Sequence, residues 1–242
     1  HEAILEKLDE SVSIVALPNV LWTNGLKIDL QAIRVRCDEI GSALVLDLTQ
    51  STGAMEINFK EIRPDFAVVA NYKWMLGPYS TGFLYVAPKY RDGKPLEEGW
   101  VTRKGSRNFV NLTECREEYE SGAVRFDVGE TSNFALMPGV IASLRQLLDW
   151  GVSNIHSSLE SQNDKLCLEL EKIGLVTTPK HIRGPHFIGA KLPRNLKRDI
   201  ISELASQNIY LSRRGDSIRI TPHLWNTDED FRRLVWALGS LL

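Results

Sequence analysis

The chain has 242 residues, with 29 Lys and Arg against 31 Asp and Glu, and a formal net charge of −2. Because binding to nucleic acid requires an excess of basic side chains on some face, this balance argues against a nucleic-acid partner. No apolar run approaches the roughly eighteen residues of a membrane span, and no signal peptide is visible, so we expect a cytoplasmic protein without membrane contact. Cys37, Cys115 and Cys167 cannot all pair and lack the spacing of metal ligands, which predicts reduced thiols and no metal site.

The first part of the chain alternates between strand and helix patterns. Short apolar runs predict strands at residues 11–17, 43–46, 66–70 and 82–87. A helix is predicted at 29–40, with Asp29 at its N-cap and Gly41 just after its end. Almost wholly apolar strands are typical of a sheet covered on both faces. We therefore predict an α/β fold with a mostly parallel sheet that binds its ligands at the carboxyl ends of the strands.

The remainder of the chain predicts a smaller α+β unit. Residues 89–132 are polar and glycine-rich without a sustained period, which indicates either disorder or a functional loop. Beyond them, the patterns predict helices at 134–150, 153–173 and 196–207, strands at 186–192, 209–212 and 217–221, and a last helix that opens with a capping box at Thr227. We therefore divide the chain into two domains, residues 1–133 and 134–242.

Three polar side chains lie where an α/β sheet places its functional site. Asp47 ends one predicted strand, Gln50 follows it, and Lys73 lies just beyond the next strand. Taken singly, such an Asp is typical of a helix cap, and such a Lys is typical of a solvated loop. Together they predict a ligand site at neighbouring strand ends. The chain has no P-loop, G-x-G-x-x-G, H-E-x-x-H or G-x-S-x-G motif, so the common hydrolase and dehydrogenase sites are unsupported.

Five segments of the chain resemble the class V aminotransferase family. They are DLTQSTGA at 47–54, PDFAVVANYKW at 64–74, GFLYV at 82–86, RFDVGETSN at 125–133 and SIRITPHLWNT at 217–227. The resemblance covers essentially the whole chain and implies a pyridoxal-5′-phosphate (PLP) enzyme of fold type I. This group includes kynureninases, cysteine desulfurases and isopenicillin-N-epimerase-like proteins, and a Tyr directly before the Lys favours the kynureninase-like branch. Residues 1–133 would then be part of the PLP-binding large domain, and residues 134–242 a linking helix and the small domain.

The same resemblance implies roles for individual residues. Lys73 would form the Schiff base with the cofactor and move the proton at the substrate Cα, as a lysine amine does in such enzymes. Asp47 would face the pyridine nitrogen and keep it protonated. Gln50 would lie near the cofactor's phenolic oxygen, and Tyr72 would offer its hydroxyl to the phosphate. Arg219 would bind the substrate carboxylate with its guanidinium fork, although alternating Ile-Arg-Ile also fits a strand with its Arg in solvent.

The resemblance also implies further site residues, for which the sequence motifs give less support. Thr131, Ser132 and Asn133 resemble a loop that reaches the cofactor phosphate of the neighbouring subunit, which implies a homodimer. The sequence has one residue more than the desulfurase pattern there, so the contacting residue among the three stays open. Asn19, which follows the first strand, is a candidate for substrate binding. His223 is either a further candidate or a packing residue.

The chain also departs from the family pattern. Relatives have a substantial N-terminal part that includes a phosphate-gripping turn at a helix N-terminus, and neither that turn nor the aromatic ring that stacks on the cofactor is found here. We therefore expect a fragment, rather than an incomplete gene or a degenerate relative, because Asp47, Lys73 and Arg219 are all retained. No Cys occurs from Gly174 to Arg219, which argues against the thiol mechanism of desulfurases.

The predicted function is that of a PLP-dependent enzyme acting on an amino acid as a transaminase, epimerase or lyase. One alternative is a kynureninase-like hydrolase. The other is a fragment or scaffold without catalysis that is unable to hold PLP alone.

Overall fold

Two separate four-stranded sheets organise the chain in this computed structural model, which describes residues 2–111, 113–114, 116–129, 131, 133–194, 196 and 198–242. The elements around the first sheet are α1 (Glu2–Leu5), β1 (Ile14–Pro18), α2 (Leu30–Ile40), β2 (Ala43–Asp47), α3 (Phe59–Ile62), β3 (Phe66–Ala70) and β4 (Gly82–Val86). The strand order is β1-β2-β3-β4, in which β1, β2 and β3 run parallel and β4 runs antiparallel to β3. The mostly parallel sheet of the prediction is therefore confirmed.

Helix α2 begins and ends where its sequence predicts. The side chain of Asp29 accepts hydrogen bonds from the backbone N–H groups of Gln31 and Ala32, which satisfies donors that the helix itself leaves free. Gly41 ends the helix with φ of 75°, a left-handed conformation that glycine adopts without steric cost. The short helices α1 and α3 were not predicted, because four residues are too few to show a helical period.

The core beside this sheet is formed by the apolar face of α2 and by alternate residues of β2. Its largest fully buried side chains are Ile33, Leu44, Leu46 and Leu48. In the described part of the segment from β4 to residue 136, the regular structure consists of short 3₁₀ turns at Pro88–Tyr90, Trp100–Thr102, Phe109–Asn111 and Ala123–Phe126 and an isolated antiparallel bridge between Arg103 and Tyr119. Within the described part of 89–132, the long irregular segment is thus as the sequence predicts.

The second sheet belongs to the C-terminal part of the chain. Its elements are α4 (Met137–Trp150), α5 (Val152–Lys172), β5 (Val176–Thr177), β6 (Ile188–Lys191), α6 (Ile200–Ala205), β7 (Ser212–Arg214), β8 (Ser217–Ile220) and α7 (Asp228–Leu241). All neighbouring strands are antiparallel, in the order β5-β6-β8-β7. The predicted capping box is present, since Thr227 and Asp230 each accept a hydrogen bond from the other's backbone N–H.

The predicted strand at 209–212 is wrong over its first three residues. Asn208 adopts a left-handed conformation with φ of 58°, and the N–H of Ile209 bonds back to the carbonyl of Leu204. This segment therefore closes the end of α6, and Ile209 and Leu211 supply apolar contacts to the second core. An apolar run that caps a helix has the same composition as the start of a strand, and the local pattern does not separate the two.

The loop after β1 and the helices α4 and α5 connect the two sheets. Gly25 accepts a hydrogen bond from Gly184 N–H at 2.8 Å, and Lys27 N–H donates to the carbonyl of Ile182 at 2.7 Å. A third apolar cluster joins both parts of the chain; it contains Ala54, Trp74, Met75, Leu147, Ile155 and Leu159. Because α4 and α5 contact both parts, the division at residue 133 stays a prediction. In the described ranges, no helix is long and apolar enough to cross a membrane.

Candidate functional site

The carboxyl ends of the three parallel strands meet at one edge of the first sheet. Pro18 in β1 lies opposite Asp47 in β2, and Asp47 lies opposite Val68 in β3. Asp47 therefore stands at the centre of this edge, and Lys73 follows three residues after β3 ends. The loops are joined side by side, because Thr49 Oγ1 accepts a hydrogen bond from Ala70 N–H at 3.0 Å. This is the edge at which α/β sheets bind their ligands.

Asp47 presents a carboxylate that no basic side chain neutralises directly. Its Oδ1 accepts one hydrogen bond, from Thr49 N–H at 2.9 Å, and the side chain is exposed. It has no ion pair in the part of the chain that the structure covers. The carboxylate is thus oriented by its own loop while keeping an oxygen for a ligand.

Lys73 is a partly buried lysine whose pKa is influenced by a carboxylate and a guanidinium. Burial lowers the pKa of its ammonium group, the positive charge of Arg219 lowers it further, and Asp47 acts in the opposite direction. Its turn is held by hydrogen bonds from Leu76 N–H to the Lys73 carbonyl and from Gly77 N–H to the Asn71 carbonyl. A lowered pKa raises the fraction of neutral amine, which is the nucleophilic form.

Arg219 lies on β8 of the second sheet and faces the first. It pairs with Gly189 of β6 and Ser212 of β7, and its guanidinium carbon lies 4.8 Å from the centre of the Phe187 ring. Its Nε is buried and has no hydrogen-bond partner among the described residues. Burial lowers the pKa of Arg219, with a further contribution from the charge of Arg214. A buried donor without a partner suits an anionic ligand.

Gln50 is held by a histidine that the sequence did not single out. The carbonyl of Gln50 is hydrogen-bonded to Nε2 of His186, which is fully buried in front of β6. The Trp74 ring meets the His186 ring edge-on at 4.5 Å. Burial lowers the pKa of His186 to about 4, so the ring is neutral near pH 7. The only signal in the sequence was a polar residue at the start of an apolar strand, which is typical of many core histidines.

His223 packs as part of an aromatic cluster. Its ring stacks on Trp225 at 4.1 Å and lies 5.7 Å from Trp74, and its Nδ1 accepts a hydrogen bond from Leu224 N–H. Burial lowers its pKa as well. Its Nε2 is buried without a hydrogen-bond partner among the described residues, so packing and ligand binding both stay predictions for this residue.

Among the residues predicted near the cofactor phosphate, Tyr72 contacts Lys73, whose Nζ lies 5.6 Å from the centre of the Tyr72 ring. Tyr72 is exposed and stacks on Tyr79 at 4.4 Å. Thr131 is exposed, and Asn133 accepts a hydrogen bond from Leu136 N–H in front of α4. Ser132 lies outside the described residues. The roles of these four residues stay predictions.

Asn19 is buried directly after β1 and is held from the β2 side. Its Oδ1 accepts a hydrogen bond from Ser51 Oγ at 2.7 Å, and its Nδ2 has no partner among the described residues. It also lines a cavity of about 570 Å³ whose other walls come mainly from α2, α3 and the loops beside them. Lys73 and Arg219 do not line that cavity, so substrate binding by Asn19 stays a prediction.

Comparison with known proteins identifies relatives of this chain. The family model described as aminotransferase class-V matches residues 1–230. The chain belongs to the class V aminotransferase family. Among curated proteins, kynureninase from Geobacillus thermodenitrificans is 28% identical over all of this chain, and kynureninase from Bacillus anthracis is 30% identical over the same extent. Both alignments cover 58% of the relative, so the chain spans well under two thirds of the length of these proteins.

Solved structures show the same fold. A complex of the cystine C–S lyase C-DES with cysteine persulfide has a TM-score of 0.85 at 21% identity, covering 99% of this chain and 64% of the lyase chain. The cysteine desulfurase CsdA from Escherichia coli has a TM-score of 0.78 at 19% identity, covering 99% and 61%. The fold of this class V aminotransferase chain is therefore fold type I of the PLP-dependent enzymes.

Proposed function

We propose that this chain is the lysine-bearing and carboxylate-binding part of a PLP-dependent enzyme that acts on an amino acid. The observation that carries the proposal is that Asp47 and Arg219, from distant segments of the chain, both lie near enough to Lys73 to act on its pKa, which Arg219 lowers and Asp47 raises. When bound, PLP supplies an aldehyde for the substrate amine and a ring that stabilises negative charge at the substrate Cα. The described residues fit the aldehyde and pyridine ends of that cofactor.

Each of the three residues has a task that follows from its surroundings. Lys73 holds the cofactor through its amine and takes or returns the proton at the substrate Cα, since its lowered pKa favours the neutral form. Asp47 would hold the pyridine nitrogen of the cofactor in its protonated form, since its hydrogen bond from Thr49 N–H uses only Oδ1. Arg219 binds the substrate carboxylate with a guanidinium that no protein carboxylate occupies in the described ranges.

A kynureninase-like hydrolase is the second candidate function. It is supported by the kynureninases among the sequence relatives and by the Tyr72–Lys73 pair. Incubation of the PLP-loaded protein with kynurenine decides between the two, because release of anthranilate requires cleavage between Cβ and Cγ. Transamination or epimerisation of amino acids releases none.

We further propose a cytoplasmic homodimer. Large apolar side chains are exposed along the segment between β4 and α4, among them Leu96, Phe109, Val110, Val128 and Phe134. A surface of this kind is typical of a subunit contact. Cys37 and Cys167 are buried free thiols, as in proteins of a reducing compartment.

The first experiment titrates the purified chain with PLP and records the visible absorbance before and after borohydride reduction. We expect a band that reduction fixes to the peptide containing Lys73, and loss of that label in Lys73→Ala. Asp47→Asn removes a charge-assisted hydrogen bond and weakens PLP binding by about tenfold or more. Lys104→Ala is the control, because Lys104 pairs with Glu118 away from the sheet edge. A label spread over surface lysines, or no band at all, contradicts the proposal and favours a scaffold without catalysis.

A further inference from the structure

Two arginines share one face of the second sheet at the proposed substrate site. In the β7–β8 pair, Ser212 lies opposite Arg219 and Arg214 lies opposite Ser217. Because side chains alternate along a strand, Arg214 and Arg219 point to the same side as diagonal neighbours, with about 7 Å between their Cβ atoms. Ile218 points to the opposite side, into the second core.

Each guanidinium lies against an aromatic ring. Arg214 lies 5.7 Å from the centre of the Trp22 ring, in the loop that follows β1, and Arg219 lies 4.8 Å from the Phe187 ring. Trp22 is about half exposed, with 49% of its surface accessible. Arginine stacked on an aromatic face keeps its N–H edge available for a planar acid.

Neither arginine has an acidic partner in the described ranges. The hydrogen bond that Arg214 donates within the chain goes to the carbonyl of Arg213 at 2.8 Å. Arg214 is exposed, whereas the buried Arg34 and Arg183 are paired: Arg34 lies 3.0 Å from a carboxylate oxygen of Asp65, and Arg183 contacts Asp164. Like charges at diagonal positions repel each other, so the pair favours an anion between or beside them.

The charge around the site supports the same conclusion. Arg214 and Arg219 repel each other, and Arg219 acts in turn on Lys73. Asp47 acts against this positive charge by raising the pKa of Lys73. One substrate carboxylate on Arg219 leaves a second positive charge without a partner.

We propose that the substrate carries a second acidic group, so that Arg219 binds its α-carboxylate while Arg214 binds a carboxylate on its side chain. The substrate is then a dicarboxylic amino acid of four or five carbons, or the matching 2-oxo acid. Two carboxylates separated by a short carbon chain span two neighbouring guanidinium groups, and each fits the planar fork of one arginine. This inference rests on the proposed function, because it uses the same site.

The first test needs no cofactor. Isothermal titration calorimetry compares glutarate with butyrate on the chain at constant ionic strength, which holds general screening fixed. We expect glutarate to bind at least about tenfold more tightly, since the second carboxylate adds a charge-assisted hydrogen bond to Arg214. We expect Arg214→Gln to lower the affinity for glutarate to that for butyrate. Arg213→Gln is the matched control, because Arg213 lies on the opposite side of the same strand, where it pairs with Ile218.

The second test uses the PLP-loaded protein and compares L-glutamate and L-aspartate with L-glutamine, L-alanine and L-kynurenine by the change in the visible band. We expect the two acidic amino acids to bind most tightly, and Arg214→Gln to remove their advantage. If PLP attaches to Lys73 but Arg214→Gln changes nothing in either test, the inference is wrong and the proposed function stands. If PLP never attaches to Lys73, the proposed function fails, and the glutarate titration still decides whether Arg214 is part of an anion site. Circular dichroism confirms that each variant is folded.

Discussion

A buried histidine fixes the backbone next to Asp47 from across the molecule. His186 is neutral, donates through Nε2 to the carbonyl of Gln50, and packs against Trp74, the residue after Lys73. One ring therefore supports both loops that carry the proposed chemistry. Its contribution depends on its charge, because a protonated imidazole in this dry position loses its hydration without gaining an acidic partner.

This makes the stability of the chain sensitive to mild acid. The folded-state pKa of His186 is lowered from 6.5 to about 4, so the unfolded chain binds the proton more readily across this window. Stability is fully retained above the unfolded pKa and falls as the pH drops towards the folded value. We expect a loss of roughly 2 kcal/mol between pH about 7.5 and pH about 5 from this residue. Urea unfolding at the two pH values measures this loss in the free energy of unfolding.

The comparison variant for this prediction is His186→Gln, which keeps a donor for the Gln50 carbonyl but does not titrate. Between the two pH values, the free energy of unfolding of His186→Gln should fall by roughly 2 kcal/mol less than that of the parent. His181→Gln, at an exposed histidine, should behave as the parent does. A parent and a His186→Gln protein with equal pH dependence would show that burial of the ring does not control its protonation.

Among the secondary-structure elements, α2, β2 and the turn after β4 are tied together by one buried carboxylate. Asp65 directly precedes β3. It accepts hydrogen bonds from Arg34 at 3.0 Å, from Leu44 N–H at 2.7 Å and from Lys89 at 2.7 Å. Burial by itself raises the pKa of Asp65, but these donors outweigh it and hold the pKa below its ordinary value. The carboxylate is thus charged and fully bonded in the folded chain.

Removing the charge of Asp65 should destabilise the first sheet. In Asp65→Asn the buried Arg34 keeps its contact with the half-exposed Asp38 but loses its buried partner, and we expect a loss of about 3 kcal/mol in the free energy of unfolding. Glu39→Gln removes one partner of an exposed pair with Arg36 and should change stability by no more than about 0.5 kcal/mol. Chemical denaturation followed by far-UV circular dichroism gives both values. Equal losses in the two variants would refute the role of burial.

The ends of some helices can be predicted from the local sequence alone, whereas other element boundaries cannot. The caps of α2 and α7 act within four residues, and Asp29 and Thr227 were both identified from the sequence. The strand expected at 209–211 fails because its apolar residues complete the end of α6 and pack into the second core. That outcome depends on contacts with residues remote in sequence.

At the scale of the whole molecule, the two sheets approach closely at a glycine. A Cβ at Gly189 in β6 would lie 2.6 Å from the Cα of Asn24, in the loop that follows β1. The backbone of that loop therefore lies directly on the face of the second sheet that carries Arg219. Absence of a side chain at this position lets the two parts of the site meet.

We expect Gly189→Ala to move the loop that follows β1 away from the second sheet. The added methyl group meets backbone, which has little room to move, so we expect a loss of about 2 kcal/mol in stability. Binding of glutarate should weaken as well, since Trp22 and the Asn24 loop shift away from Arg219. Gly139→Ala is the control, because its Cβ would meet Pro78 at an ordinary 3.6 Å in the first turn of α4. That variant should be unchanged or more stable by roughly 0.5 to 1 kcal/mol.

The amino-acid sequence predicted the α/β class, most helices and strands, and the candidate site residues Asp47, Lys73 and Arg219. It did so because hydrophobic period, caps and strand ends are local properties of the chain. Which of these side chains lie near one another, and which residues support them, depends on the packing of distant segments. The contact of His186 with Gln50, the stacking of Arg214 on Trp22 and the close approach at Gly189 each join residues far apart in sequence. No local pattern encodes such contacts, because they arise from the packing of one sheet against the loops of the other.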